Sequence, residues 1–487
     1  MLENFELISF TLAFLVIISV FASKVSVRFG FPSFFIFLVI GMLAGSDGVG
    51  KIYFENHKLA QVIGMIALVY ILFAGGLETN LNEILPIFKD GFILANLGVV
   101  ITAFLVGILA YYFLHFSFLE AFLLGSIVAS TDAASVFGLL RTTGIGLKGK
   151  LKPLLEFESG SNDTAAVILT TTFIQLIQVS EIDSWKIFIY IILQISVGSL
   201  FGYFSGKFIS YILNKVQLEH EGLYTVLTVT YIYSIYSLTN FLNGNGFLAV
   251  YICGILLGNS NFFHKRTIIM FIYGLSWLMQ IVMFLTLGLL VYPSRLTEVF
   301  LVGILFAFFL TFIARPVSVF ICLFGSKYSL KEKLFISWVG LRGATPIILA
   351  TFPFTVGYKN SEYIFNIIFF IVLCSLLLQG STIVKSASLL GLTQKQKKGS
   401  LYPFDFENKE DSSTKLVEFI VPYFSNVSEK SLVELPIPEG CLITLICRGN
   451  EYIIPNGKAT LQAGDVLLVL TTSESEKEFS KMLSSLK

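Results

Sequence analysis

The sequence predicts an all-α polytopic membrane protein of about 13 transmembrane helices, with a small α+β domain at its C-terminal end. Three observations carry this expectation. The 487 residues are 55% hydrophobic and 13% charged, where a soluble domain carries about 25% charge. Mean hydropathy is +0.81. Long apolar runs recur through the first 391 residues and then stop. The formal net charge of +1 gives no basis for binding nucleic acid.

Taken in order, the runs fall at 5–23, 31–45, 58–76, 91–116, 118–140, 154–178, 184–213, 222–242, 246–259, 267–292, 297–325, 333–356 and 361–391. A bilayer-spanning helix takes about 20 residues, so the runs 31–45 and 246–259 are short. The first run could pass for a signal peptide. Glu3 and Glu6 stand where a signal carries Lys or Arg, so it reads as a retained span. One set of alternate loops is rich in Lys and Arg, from Lys24 and Arg28 to Lys395, Lys397 and Lys398. The other set holds only Lys51, Lys58, Lys186, Arg295 and Lys359. The bias puts the first set in the cytoplasm, the N-terminus outside and the C-terminal domain inside. Cys253, Cys322, Cys374, Cys441 and Cys447 show no CxxC spacing and read as ordinary thiols.

After Gly391 the composition changes. Residues 1–391 read as the transmembrane domain, 392–415 as a polar linker and 416–487 as the cytoplasmic domain. Val417–Val421 reads as a strand and Ser428–Leu435 as a helix. Cys441–Arg448 and Tyr452–Ile454 read as a hairpin across Gly449-Asn450, and Val466–Leu470 as a last strand. Ser473-x-x-Glu476 opens a closing helix containing Phe479 and Met482. About seventy residues make a marginal core alone, so the domain is expected to pair with a second copy.

Polar residues inside two of the runs point to function. Ser130-Thr131-Asp132 interrupts the fifth, and Glu158-Ser159-Gly160-Ser161-Asn162-Asp163 the sixth. A carboxylate at the centre of an inserting helix costs about 2.5–3.5 kcal/mol, so three of them imply partners and a purpose. Ser159 and Asp163 are four apart and share a helix face, as do Glu158 and Asn162. A hydroxyl and a carboxylate on one face are hard oxygen ligands, suited to Na⁺ or K⁺. Asp163 and Asp132 lie near mid-membrane depth, where secondary transporters bind. A carboxylate there can hold a cation or a proton, and the competition couples the two fluxes. For Glu158 a structural role is expected, paired with Arg342 in Trp338-Val339-Gly340-Leu341-Arg342-Gly343-Ala344-Thr345-Pro346 of the twelfth run. Arg315, before Pro316, is a competing partner, and Lys207 is expected to snorkel. If the spans divide as six, one and six, the fifth matches the twelfth. Two interrupted helices at matching positions are the mark of an inverted-repeat transporter.

Ser130-Thr131-Asp132, Glu158-Ser159-x-x-Asn162-Asp163 and Gly340-Leu341-Arg342-Gly343-Ala344, in this order, resemble the monovalent cation:proton antiporters of the electroneutral sodium/proton exchanger type. Phe73-Ala74-Gly75-Gly76-Leu77-Glu78 is similar to another signature of that family. The resemblance covers roughly residues 5–391. It implies thirteen spans, inverted repeats, a homodimer and an elevator-like motion of a core domain. It also implies that Asp163 carries the ion or proton, and that Thr131, Asp132 and Ser159 help coordinate. Glu158 would pair with Arg342, and Asn162, where electrogenic relatives have a second aspartate, suggests one-for-one exchange. Ala133 departs from the proline that many sodium exchangers carry after the first aspartate, and looks more like the bacterial potassium/proton branch.

Gly440-Cys441-Leu442-Ile443, Arg448-Gly449, Ile454-Pro455-Asn456-Gly457 and Thr460-Leu461-x-x-Gly464-Asp465 resemble the C-terminal half of the regulator-of-potassium-conductance domain, the TrkA C-terminal domain. That family implies a dimeric regulatory module and a small nucleotide as ligand. Taken together, the expectation is a multi-pass transporter in the bacterial inner membrane, with H⁺ and K⁺ or Na⁺ as substrates, membrane lipid around it, and no cofactor or enzymatic activity. The rival is a potassium channel, since Thr355-Val356-Gly357-Tyr358 resembles a selectivity filter. Lys359 beside it would oppose cation entry where a ring of carbonyls is needed. A membrane sensor without transport would not need paired interrupted helices. His57, His115, His220 and His264 fall in or near loops and read as solvated.

Overall fold

A computed structural model of the chain describes residues 2–29, 31–178, 184–216, 218–262, 264–395, 414–422, 427, 429–448, 451–472 and 475–484. The chain forms two compact units, residues 1–396 and 397–487.

In the first unit every apolar run of the sequence lies on helix. The order is α1 (Leu2–Phe29), α2 (Ser33–Ala44), α3 (His57–Glu78), α4 (Leu81–Ile84), α5 (Phe88–Leu114), α6 (Phe118–Val128) and α7 (Ala133–Thr142). After β1 (Ile145–Leu147) come α8 (Leu151–Gln178), α9 (Ser184–Lys215), α10 (Glu221–Phe241), α11 (Gly246–Gly258), α12 (Lys265–Leu289) and α13 (Pro293–Leu296). Then follow α14 (Phe300–Phe309), α15 (Arg315–Cys322), α16 (Leu330–Trp338), α17 (Ala344–Leu349), α18 (Phe352–Thr355), α19 (Ser361–Leu389) and β2 (Thr393–Lys395). Among the described residues, six helical segments are each long and apolar enough to cross a bilayer. They are α3, Leu81–Leu114, Trp185–Lys215, α12, Phe300–Cys322 and α19.

Two runs are broken in the middle. The fifth stops at Val128 and resumes at Ala133. Ser130, Thr131 and Asp132 lie between, short polar side chains that compete with the helix for its own backbone. The twelfth stops at Trp338 and resumes at Ala344. Gly340 and Gly343 flank that break, and Pro346 follows in the first turn of α17, where a missing N–H costs nothing. A π-turn over Leu310–Ala314 joins α14 to α15. Its wider turn accommodates Pro316, whose ring would clash in a regular helix.

The Thr355–Tyr358 tract is not a row of filter carbonyls. Thr355 ends α18, and the Tyr358 hydroxyl donates to Glu120 Oε1, which also accepts from Asn360 Nδ2 at 2.8 Å. The other Glu120 oxygen closes the α6 capping box on the Ser117 N–H at 2.7 Å. Lys207 is exposed on α9 with its ammonium 4.4 Å from the centre of the Tyr203 ring.

The stretch read as a linker opens as structure. β2 pairs antiparallel with β1, with Gly146 opposite Gln394. Residues 396–413 lie outside the described part.

The second unit contains β3 (Thr414–Ile420), β4 (Leu442–Arg448), β5 (Glu451–Ile453), β6 (Val466–Thr472) and α20 (Ser475–Ser484). The sheet order is β3-β6-β4-β5 with antiparallel neighbours. Ile446, Leu467, Val469 and Phe479 are fully buried between sheet and helix. The hairpin of β4 and β5 forms as expected, while its turn residues 449–450 and the start signal at Ser473 lie outside the described residues. The helix expected over Ser428–Leu435 is instead a single 3₁₀ turn, Leu432–Glu434. Pro436 forces Leu435 to an extended conformation (φ −90°, ψ 133°), and Pro438 follows, so the turn cannot propagate. Arg448 and Asp465, both in the motifs singled out above, form an ion pair at 2.8 Å. Burial pushes the Asp465 carboxyl up, but the bonds from Arg448 and the Gln462 N–H outweigh it and hold it below the usual range.

Candidate functional site

The two broken helices meet at their breaks, and α8 lies against both. A helix interrupted inside a membrane leaves backbone groups without water, so they must be bonded elsewhere. Here side chains from distant segments do this. Arg342 donates from one terminal nitrogen to the carbonyls of Ala129 (2.7 Å) and Ser130 (2.5 Å), at the C-terminal end of α6. A cation suits that negative end of the helix dipole. The Asp132 N–H donates to Leu341 O at 2.7 Å, joining one break to the other. The Arg342 N–H donates to Ser375 Oγ at 2.9 Å, and Gln379 Nε2 to Trp338 O at 2.9 Å, both from α19.

Ser159 and Asn162 on α8 serve the first break. Ser159 Oγ accepts from the Ala133 N–H (2.9 Å) and donates to Thr131 O (2.8 Å). Asn162 Nδ2 donates to Thr131 Oγ1 (2.5 Å), and its Oδ1 accepts from the Thr131 N–H (3.2 Å). Asp132 caps α7, accepting from the Ser135 N–H (3.2 Å) and the Ser135 hydroxyl (2.6 Å). Gly343 makes room for it: a Cβ there would lie 2.3 Å from Asp132 Oδ2. Gly343→Ala is therefore expected to displace Asp132 and slow transport roughly tenfold, since misplacing a site group by about 1 Å can cost up to 10²-fold. Flux measured against protein content checks this, and an unchanged rate would mean that the position of Asp132 is immaterial.

A cavity of about 310 Å³ opens beside these bonds, lined by Glu78, Asp132, Glu156, Ser159, Asp163 and Tyr251 among others. Asp163 is half-buried on its wall. Facing it are the Asp132 carboxylate and the hydroxyls of Thr345 and Ser130. The Ser130 side chain is fully buried. Carboxylate and hydroxyl oxygens around a small cavity can hold a dehydrated monovalent cation or a proton.

The predicted residues thus divide. Asp132, Ser159 and Asp163 line the cavity. Thr131 and Asn162 stand behind it, bonded to each other. Glu158 does not pair with Arg342. Its carboxylate meets the Arg315 guanidinium at 2.6 Å, with side chains 1% and 4% exposed respectively. In the break, two carbonyls hold one terminal nitrogen of Arg342 and fix its side chain at the end of α6. Arg315 in turn packs against Gly340, where a Cβ would meet its Nε at 2.6 Å.

Sequence reasoning gave no role to Glu78, Glu156 or Tyr251, three of the polar residues that line the cavity. Glu156 lies seven residues before Asp163, two turns up the same stripe as Ser159, and that spacing could have found it. Glu78 stands in the motif ending α3 but was given no role. Tyr251, 2% exposed on α11, carried no polar pattern to mark it.

Known proteins resemble this chain in sequence and in fold. Residues 10–386 match the family model described as sodium/hydrogen exchanger, transmembrane, and residues 416–484 match the TrkA-C domain. The chain is 36% identical to the K⁺/H⁺ antiporter NhaP of Alkalimonas amylolytica, over 99% of this chain and 84% of that protein. It is 36% identical to the K⁺/H⁺ antiporter NhaP2 of Shewanella sp. strain MR-4, over 97% and 82%. In fold it resembles the solved sodium proton antiporter MjNhaP1 of Methanocaldococcus jannaschii, with a TM-score of 0.69 and 23% identity. That match covers 78% of this chain and all of the other.

Proposed function

This chain belongs to the sodium/hydrogen exchanger family of cation/proton antiporters, and from that premise we propose that it exchanges K⁺ or Na⁺ for H⁺ across the cytoplasmic membrane. Relatives named as K⁺/H⁺ antiporters over nearly its whole length support K⁺ as the cation. One observation carries the reading: Asp163 lies on a small cavity beside the first break, with the carboxylates of Asp132, Glu156 and Glu78 on the same wall. Cation and proton compete for its carboxylate, so loading one expels the other. Asp132 and Ser159 supply further oxygens, with Ser130 and Thr345 facing the same group. Thr131 and Asn162 hold the first break in shape. Asn162 stands where electrogenic relatives carry a second aspartate, and this likeness supports an exchange of one cation for one proton.

The site alternates its access by an elevator-like movement of the broken helices with α8 and α19, a set tied together by the bonds across both breaks. The protein works as a homodimer, surrounded by lipid, with its N-terminus outside. Its C-terminal domain lies in the cytoplasm, binds a small nucleotide and regulates the exchange.

The test is proton flux in everted vesicles energised to a pH gradient, with Na⁺, K⁺, Li⁺ and Rb⁺ added in turn. Dissipation by K⁺ at low millimolar concentration is expected. If none of the four cations collapses the gradient above the vector control, the proposal fails.

A further inference from the structure

The segment that leads out of the last membrane helix is bonded into the loop between the two helices that carry the site. That loop is short: α7, capped by Asp132, ends at Thr142, and α8, which bears Ser159 and Asp163, begins at Leu151. β1 occupies its middle and pairs with β2 through Ile145 and Lys395, Gly146 and Gln394, and Leu147 and Thr393. The Lys148 N–H donates to Leu392 O at 2.9 Å, and Lys148 Nζ to Gly391 O at 2.8 Å. Leu147 and Leu392 are buried beneath the pair.

The sequence builds this clip from both sides. Gly391 adopts a left-handed φ of +72°, which ends α19 and turns the chain straight into β2. Gly144 and Gly149 take the same left-handed region, at +67° and +63°, and bracket β1 so that it stands across the helix ends. A two-stranded ribbon of three pairs is marginal by itself in water. Such a contact can be seated or released at little cost, unlike the buried bonds at the breaks.

We propose that the β1–β2 clip is the point through which the C-terminal domain acts on the transport site, seating or releasing β2 to set the exchange rate. The proposal rests on the antiport reading given above. β2 lies one residue from the end of the membrane unit, so along the chain it is the last described element of that unit before the C-terminal domain. Release frees the α7–α8 loop and with it the mutual placement of Asp132 and Asp163.

The experiment uses the full chain throughout. Gly146→Cys and Gln394→Cys are introduced together. Antiparallel partners lie about 4.5–5.5 Å apart at Cα, within reach of a disulfide. The single-cysteine variants control for the five native thiols. Val469→Asp places a charge in the centre of the small domain's core and disrupts that domain alone. K⁺-driven proton flux is then measured with and without Val469→Asp, oxidised and reduced. In the reduced state Val469→Asp is expected to change the rate about fivefold, the size of a modest coupling between sites. With the clip locked by oxidation, the same substitution leaves the rate unchanged. An equal effect in both states, or none in the reduced state, overturns the proposal. Lys148→Met, which loosens the clip without touching the domain, should shift the rate in the same direction as Val469→Asp. An unshifted rate overturns the proposal as well. Flux absent from the unsubstituted chain would sink the antiport reading instead.

Discussion

Asp163→Asn is expected to abolish cation-driven proton flux while leaving a folded, membrane-inserted protein. An amide is almost isosteric with the carboxyl and keeps its hydrogen-bonding reach, but it neither ionises nor takes a proton. A single substitution therefore removes both competing substrates from one position. The fall should be roughly 100-fold or more, to the level of empty vesicles, because the carboxylate for which cation and proton compete is gone. Asp132→Asn is the informative contrast. Asn is as good a helix cap as Asp, so the bonds to Ser135 can persist and the flux should fall less than for Asp163→Asn. Near-normal flux in Asp163→Asn would remove this carboxylate from the transport reaction.

The second large effect concerns the buried ion pair. Arg315→Ala is expected to destabilise the folded protein by about 3–5 kcal/mol, because Glu158 is then left as an uncompensated buried charge. Removing both partners, as Glu158→Ala with Arg315→Ala, should restore much of the loss, since an apolar pair avoids burying charge at all. Equilibrium unfolding in mixed micelles gives the double-mutant cycle. The coupling between 158 and 315 should exceed about 1 kcal/mol, with a smaller value between 158 and 342. Equal coupling to both arginines would mean that Glu158 is shared between them, against the geometry described.

Much of the fold is legible in the sequence because the bilayer makes the rules simple. Apolar runs become helices, since no other element satisfies its own backbone in lipid. Both breaks are visible as polar or glycine-rich interruptions of such runs. What was not legible depends on contacts between distant segments. Either arginine could have met Glu158; Arg315 does, while one nitrogen of Arg342 is held by the carbonyls of Ala129 and Ser130. Glu156 was passed over because it lies near the end of its run, where a charge needs no explanation. The polar composition after Gly391 suggested a connector, yet Thr393–Lys395 finds a strand partner some 250 residues earlier. Removing everything after Gly391 would therefore delete part of the membrane unit along with the C-terminal domain. In the small domain, Ser431 and Glu434 do form the start signal of a helix, and the two prolines that follow cancel it.

The closing of the first break by Arg342 also sets an order of events during biosynthesis. The carbonyls of Ala129 and Ser130 precede their donor by more than 210 residues. At 5–20 residues per second this is an interval of roughly 10–40 s. Throughout it α6 and α7 have emerged from the ribosome, but the group that completes their junction does not yet exist. The nascent segment must wait beside water, lipid headgroups or the insertion machinery, and enters its final place only when the twelfth run arrives. The break beside the proposed site is thus among the last parts of the membrane unit to be completed.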